Sequence, residues 1–566
     1  MGLFIFYMRK QALVFFWAVC QALSAQLIIN NHIAAYDGLT HTWLAALPEL
    51  KFGQDNCLSI SLQGDWKQIT INGETINGNY TFRKVTADSL YQTSIIDSQD
   101  RTITGNIQFT FLPIIHLQGN FGYDYQNGIV TIIDPDLIKD DILESKIKWR
   151  GGTTNTPNKH KRNYKLKFPQ DVTFPGLRSD NDWILDAGQA DVFRLRNRIA
   201  MDLWNEIAHK PYYIDQEMKA RNGVGGMVVE VFLNEEYQGI YNLSENIDRK
   251  QLKLKKKDQE TGDIHGCLYK AVEWGGTQMF DLLDYDNHSE TLRGFEVKYP
   301  DFNDSDTTDW KPLVDAVNTI RNYNKKDFIN HVNEWFDIPV LIDYSIFLAV
   351  VNALDNSGKN MYWAIYDKQH DKKLTPSPWD LDCTFGQRWG GTLIGKDVDM
   401  SSPEYLTDVD IYVFYMLYIT NAHQFNEKLN QRYLELRQTG NILSTESLIN
   451  RVNQYYQKIK NCGASKRETD RWSGDSDLKG EIINFDNEYK YICNWIKKHL
   501  ELIDFAMFPL YYEEDLSTLI NQLQVNNKTH SSAQFLFNLK GQRINNTYRQ
   551  KPDMYIKNGK KIIINK

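Results

Sequence analysis

The stretch from Leu341 to Gly386 constrains this chain most. An apolar run, LIDYSIFLAVVNA, passes into LDNSGKNMYWAIYD and then, through a short polar loop, into PSPWDLDCTFG. Asp355, Asp380 and Asp382 stand at the edges of this apolar sequence. An unpaired carboxylate is costly to bury, so a packing role is a poor explanation for them. Carboxylates at such edges are solvated, capping or chemically employed.

Spacing separates their tasks. In D-N-S-G-K-N, Asp355 and Asn360 flank a loop that contains Gly358. An aspartate there can take a proton from a hydroxyl, and an asparagine carbonyl can ligate magnesium. Protein kinases use D-x-x-x-x-N in this way. Their preceding His-Arg is replaced here by Ala353-Leu354, and a plain Asp-x-x-Gly turn also accounts for the tetrapeptide. Asp380 and Asp382 alternate with Trp379 and Leu381, so an extended segment would put them on one face. Facing carboxylates repel unless a cation lies between them, and hard divalent ions select such oxygen sites. A glycosidase pair would need carboxylates separated across a sugar ring. Gly386 then permits an unusual backbone turn.

Around this centre the chain changes texture. Residues 26–138 alternate polar and apolar side chains between NG, GN and DG turns, which predicts an all-β, sandwich-like domain. From 139 to 510 the pattern is α+β: a strand-rich part with one early helix, then a mostly helical part. ILESKIKWRGG and NYKLKF are strand candidates joined by a loop that opens with Gly151 and Gly152. Such a loop can fold over phosphates, although a plain hairpin explains it equally well. Leu195, Ile199, Leu203 and Ile207 recur at helical spacing. Glu206 lies beside that stripe, either as a boundary residue or turned inward to a lysine on a neighbouring sheet. Residues 511–566 read as a linker with a helix from Tyr511 to about Asn527, then a short β tail.

The order of parts is that of a protein kinase: glycine loop, lysine-bearing strand, helix with a glutamate, D-x-x-x-x-N, then a two-carboxylate segment. In KWRGG…KRNYKLKF, FRLRNRIAMDLW, VEVFLNEEYQGIYNLSENID, GFEVKYP, NALDNSGKNMYWAIYD and PWDLDCTFG the chain resembles the CotH kinase family, over roughly residues 140–510. The resemblance implies an atypical, two-lobed protein-kinase-like core. It implies an enzyme that uses ATP with Mg²⁺ or Mn²⁺ to phosphorylate Ser or Thr of a protein substrate. It makes Asp355 the catalytic aspartate, Asn360 its metal-side partner, and Asp380 and Asp382 the metal ligands. It puts the phosphate-facing lysine among Lys161, Lys165 and Lys167, with Glu206 or Glu245 as its partner.

Charge and the amino terminus bound the rest. A net charge of −8 excludes a global nucleic-acid footprint. Arg9 and Lys10, then ALVFFWAVCQAL, Ser24 and Ala25, describe a signal peptide over residues 1–25. No later run is long enough to span a bilayer. The tail resembles the NLxGQR…YIxNGKK endings of secreted proteins from Bacteroides-like bacteria. Together these predict a periplasmic, cell-surface or secreted protein. Cys57, Cys267, Cys383, Cys462 and Cys493 follow no metal-binding spacing, and Cys462 and Cys493 are candidates to pair. The alternative to an exported kinase is a surface binding or structural protein whose kinase-like core is degenerate.

Overall fold

Strand alternation dominates the first half of the chain, and helical periodicity the second. The resulting architecture is α+β. The computed structural model describes residues 26–152, 154–274, 284–302, 307–397, 399–400 and 411–508, with the backbone of four short strands between 536 and 564. The expected signal peptide and the helix expected from Tyr511 lie outside the described residues. The chain divides into two units. The first takes residues 1–194, 226–245 and 454–485, and the second takes 195–225, 246–453 and 486–566.

The first unit opens with two sheets. One has four strands, including Gln26–Ile29 and Asn56–Gln63; the other has six, including Tyr91–Asp97 and Thr102–Thr110. In Asn56–Gln63, Leu58 and Ile60 point inward while Cys57, Ser59 and Ser61 face water. This period of two buries one face of the strand. Leu58, Ile60, Ile95, Ile107 and Phe109 meet in one core, as a sandwich requires.

Seven further strands close into a barrel. Their order around it is Ile114–Gln118, Gln126–Ile133, Asp141–Arg150, Asn163–Thr173, Ser179–Asp186, Glu236–Glu245 and Gly226–Leu233. The last strand pairs in parallel with the first, Ile114 opposite Glu230. Closure leaves no strand edge unpaired. Tyr164, Leu166 and Phe168 fill the interior, and the intervening Lys165 and Lys167 lie outside it. The expected domain limit near residue 138 therefore needs correction. Two barrel strands, within 114–133, precede it. Sandwich residues Ala35, Leu44 and Ala46 also share a small core with Ile114, Ile133, Phe232 and Tyr237 of the barrel.

The second unit contains a five-stranded antiparallel sheet, in which Met361–Ile365 lies between Cys267–Ala271 and Thr375–Pro378. Its central helix, Ile338–Val351, has Pro339 in the first turn and ends at Asn352 in the left-handed conformation. Every residue of this helix except Pro339 is buried. One of them is a carboxylate, Asp343, which the apolar reading of this segment passed over. It is satisfied by the His209 backbone N–H and ring at 2.5 Å and by Arg432 Nε at 2.9 Å. Among the described residues no helix is long and apolar enough to cross a membrane. The backbone strands Leu536–Asn538, Arg543–Ile544, Asp553–Lys557 and Lys560–Ile564 form a small antiparallel sheet.

Arg432→Ala would leave Asp343 with His209 alone. The expected loss of stability is about 2–3 kcal/mol, below the full cost of breaking a buried pair because Arg432 is partly exposed. An unchanged urea midpoint would show that the pair is not holding this helix.

Candidate functional site

The central helix delivers the chain into the loop that carries Asp355. After Asn352, a single 3-10 turn, Leu354–Asn356, precedes the strand Met361–Ile365. Asp355 accepts a 2.7 Å hydrogen bond from Asn360 Nδ2 and lies 3.0 Å from Lys359 Nζ. The D-x-x-x-x-N pair is therefore in direct contact. With its nitrogen committed to Asp355, Asn360 keeps its carbonyl oxygen as the atom suited to a cation. Burial raises the Asp355 pKa above the ordinary aspartate value, and Lys359 and Asn360 oppose that shift.

Asn356, which sequence reasoning overlooked, ties this loop to the next. It is fully buried, and its Nδ2 donates to Asn360 O at 2.9 Å and to Trp379 O at 2.7 Å. The Trp379 N–H returns a 2.9 Å bond to Asn360 O, and Tyr344 of the central helix donates to Asn356 O. Asp355, Asn360 and the start of the Asp380 segment thus share one hydrogen-bonded framework.

The geometry of that segment differs from the extended face expected for it. The strand Thr375–Pro378 ends early, and Asp380 sits at φ +59° in the left-handed region. Aspartate tolerates that region better than most side chains do. A turn follows, fixed by Asn197 Oδ1 accepting from the Leu381 N–H and by Thr384 Oγ1 donating to Leu381 O. Asp380 is exposed and Asp382 half-buried. Gly386, at φ +87°, lies where a Cβ would come within 2.5 Å of the Tyr491 hydroxyl. That hydroxyl instead donates to the carbonyls of Gly386 and Ile394.

Burial pushes the Cys383 thiol far up, and the charges of Asp382, Asp355 and Asp380 push it further. Among the described residues no three His, Cys, Asp or Glu side chains are placed to hold a metal ion by themselves. The donor set still fits one hard cation. Magnesium is usually held by one or two carboxylates plus phosphate and water, and Asp380, Asp382 and the Asn360 carbonyl are donors of that kind.

The family model for the CotH kinase protein matches residues 147–503, most of the chain. The chain belongs to the CotH kinase family. A search of curated proteins found no match.

CotH membership sharpens the question of the lysine and its glutamate, and here the expectation changes. Glu206 is exposed and bonded to Arg451 at 2.6 Å, as a residue on the polar side of its helix. Glu245 is buried against Arg178, whose backbone N–H donates to it. Neither is the partner of Lys161. That partner is Glu468, on the helix Ala464–Trp472. Lys161 Nζ lies 2.8 and 2.9 Å from its two oxygens and 2.9 Å from Ile240 O. Arg194 Nε and the Ile240 N–H complete the glutamate's shell at 2.7 Å each. Lys165 is 3.4 Å from Asp182, and Lys167 is exposed. No local signal in ASKRETDRW identifies Glu468, because its partners are hundreds of residues away in sequence.

Two cations on one buried carboxylate set the local charges. Burial drives the Lys161 pKa down to about 7, and Arg194 adds to the fall against the pull of Glu468. Burial would raise Glu468, but Lys161 and Arg194 outweigh it and hold the carboxyl below its ordinary value. Glu468 therefore stays ionised, and Lys161 is the member more easily discharged.

The glycine loop also differs from a phosphate cradle. Gly151 needs its φ of +110°, since a Cβ there would strike Thr154 Oγ1, whereas Gly152 faces open space. Farther along the loop, the N–H groups of His160 and Lys161 both donate to Asp477, at 2.8 and 3.0 Å. An internal carboxylate occupies the donors that an anion would use.

A carboxylate held below its ordinary pKa contributes stability that is present at neutral pH and lost as the pH falls through the carboxylate range. Glu468→Gln should therefore be less stable than the parent at pH 7, and its stability should change less between pH 7 and pH 4. Parallel pH dependences in urea unfolding would contradict this assignment.

Proposed function

We propose that the protein is an ATP-dependent protein kinase of the atypical CotH type, transferring the γ-phosphate to Ser or Thr of a protein substrate. The two units correspond in this reading to the two lobes of a kinase-like core. One observation carries it: Asp355 and Asn360 are hydrogen-bonded at 2.7 Å, within a framework that also holds the start of the Asp380–Asp382 segment. Phosphoryl transfer requires little more of a protein than positioned oxygen ligands and a group that accepts the hydroxyl proton.

In this mechanism Asp355 orients the acceptor hydroxyl and takes its proton. Lys359 and Asn360 offset the burial that would otherwise neutralise the carboxylate. Asp380, Asp382 and the Asn360 carbonyl would hold Mg²⁺ or Mn²⁺, which would supply charge neutralisation for the phosphates. Lys161 and Glu468 fill the lysine–glutamate place. All three ammonium protons are already used, so a phosphate would have to displace the Ile240 carbonyl. Against the degenerate-core alternative stands the presence of Asp355, Asp380 and Asp382 together; the filled donors at Lys161 and at the glycine loop are what it would rest on.

Transfer from labelled ATP should depend on added Mg²⁺ or Mn²⁺. Asp355→Asn should lower it by roughly 10²–10⁴-fold, the range for losing a general base. Because Asp355 is raised, the acid limb of kcat/KM should lie above the ordinary aspartate value. Lys359→Met should move it higher still. Equal labelling by the parent and Asp355→Asn would refute the assignment.

The basic-then-apolar amino terminus supports an exported enzyme. Cell fractionation should find the chain outside the cytoplasm, shortened by about the length of a signal peptide; a cytoplasmic, full-length chain would rule this out.

A further inference from the structure

At one end of the barrel, in the first unit, a cavity of about 470 Å³ is lined by Phe121 and Tyr164 of the barrel core and by residues of the loops around Gly119, His160 and Asn234. That size is within the range for small-molecule sites, roughly 300–1,000 Å³. Neither Asp355 nor the Asp380 segment lines it, and the Lys161–Glu468 pair lies behind its wall.

Two guanidinium–indole stacks lie in the lining. Arg162 lies 3.9 Å from the ring centre of Trp149, and Arg471 lies 4.4 Å from that of Trp472. Both stacks are pinned. Arg162 is 7% exposed and donates to the carbonyls of Thr156 and Pro157. Trp472 Nε1 donates to Gln238 O, and Arg471 Nε to Tyr237 O. Two carboxylates share the rim: Glu236, 3.8 Å from Arg471, and Asp475, 2.8 Å from the His160 ring. Preorganised platforms of this kind lower the ordering cost of binding.

The charges decide the ligand class. Two guanidinium groups and two carboxylates balance, so a polyanion meets Glu236 and Asp475, and a cation meets both arginines. A neutral ligand avoids both conflicts. It must offer a C–H face to the partly exposed Trp149 indole, and hydroxyls able to donate to carboxylates and accept from guanidinium groups at once. We propose that the barrel mouth is a binding site for a neutral carbohydrate, with the partly exposed Trp149 as the platform and Arg471, Glu236 and Asp475 as the hydroxyl partners. This site is independent of the phosphotransfer reading, and either can fail without the other.

Calorimetric titration of the full chain with cellotriose, maltotriose, chitotriose and mannotriose tests it, with ATP as the charged comparison. At least one trisaccharide should bind saturably, at on the order of 1 mM or tighter. Trp149→Ala should weaken it by about tenfold or more, and Glu236→Gln, at an exposed position, by several fold. Glu236→Gln keeps the test decisive if the tryptophan variant fails to fold. Three outcomes overturn the proposal: no trisaccharide binds, binding survives both substitutions unchanged, or ATP alone binds and Trp149→Ala abolishes it.

Discussion

Glu468 is a carboxylate with no access to water. A charge in that position is tolerable only when other charges and donors surround it. Lys161, Arg194 and the Ile240 N–H provide that shell, from three separate stretches of the first unit. The carboxylate thus joins the loop just before the strand Asn163–Thr173, the end of the segment after Asp186, and the backbone of the strand Glu236–Glu245. Removing Glu468 would leave Lys161 and Arg194 in the interior without their shared partner. The helix Ala464–Trp472 is held on the barrel by polar contacts at its centre, with Trp472 and Arg471 carried at its end. The Lys161–Glu468 pair and the barrel mouth therefore share a dependence on one side chain.

The second unit uses a neutral device for the same purpose. Asn356 reaches two carbonyls on two loops, and its own carbonyl receives Tyr344 from the central helix. Two adjacent loops are fixed without any charge being buried between them. The carboxylates themselves remain at the edge: Asp355 is partly screened by Lys359, Asp382 is half-buried, and Asp380 is exposed. Such a layout keeps these carboxylate oxygens at or near the surface, where a hard cation could reach them.

How much of this was legible in the sequence depended on distance along the chain. Asp355 and Asn360 are close neighbours in sequence, and their spacing suggested side chains that turn inward together; that the two bond directly to each other is a finding of the structure. The alternation in residues 26–138 predicted an all-β, sandwich-like domain for the same reason, since each strand and turn is local, although its last strands belong to the barrel. The face shared by Asp380 and Asp382 was misjudged because a left-handed residue at 380 breaks the period that alternation assumes. The partner of Lys161 was misassigned because nothing in a nine-residue helix such as Ala464–Trp472 distinguishes an inward glutamate from a solvated one. Asp343 was hidden by its apolar neighbours, although His209 and Arg432 make it an ordinary satisfied group. Barrel closure by the parallel pairing of Ile114–Gln118 with Gly226–Leu233 left no pattern that a local reading detects.

That closure bears on how the amino-terminal part of the chain can vary. A cut near residue 138 would remove two of the seven staves and leave Asp141–Arg150 and Gly226–Leu233 as open edges. Exposed edges of this kind recruit other strands and drive aggregation. The sandwich in turn would lose the apolar surface of Ile114, Ile133 and Phe232 on which Leu44 and Ala46 rest. The sandwich is therefore not an exchangeable attachment: any relative that lacks it must close its barrel and cover that surface by other means.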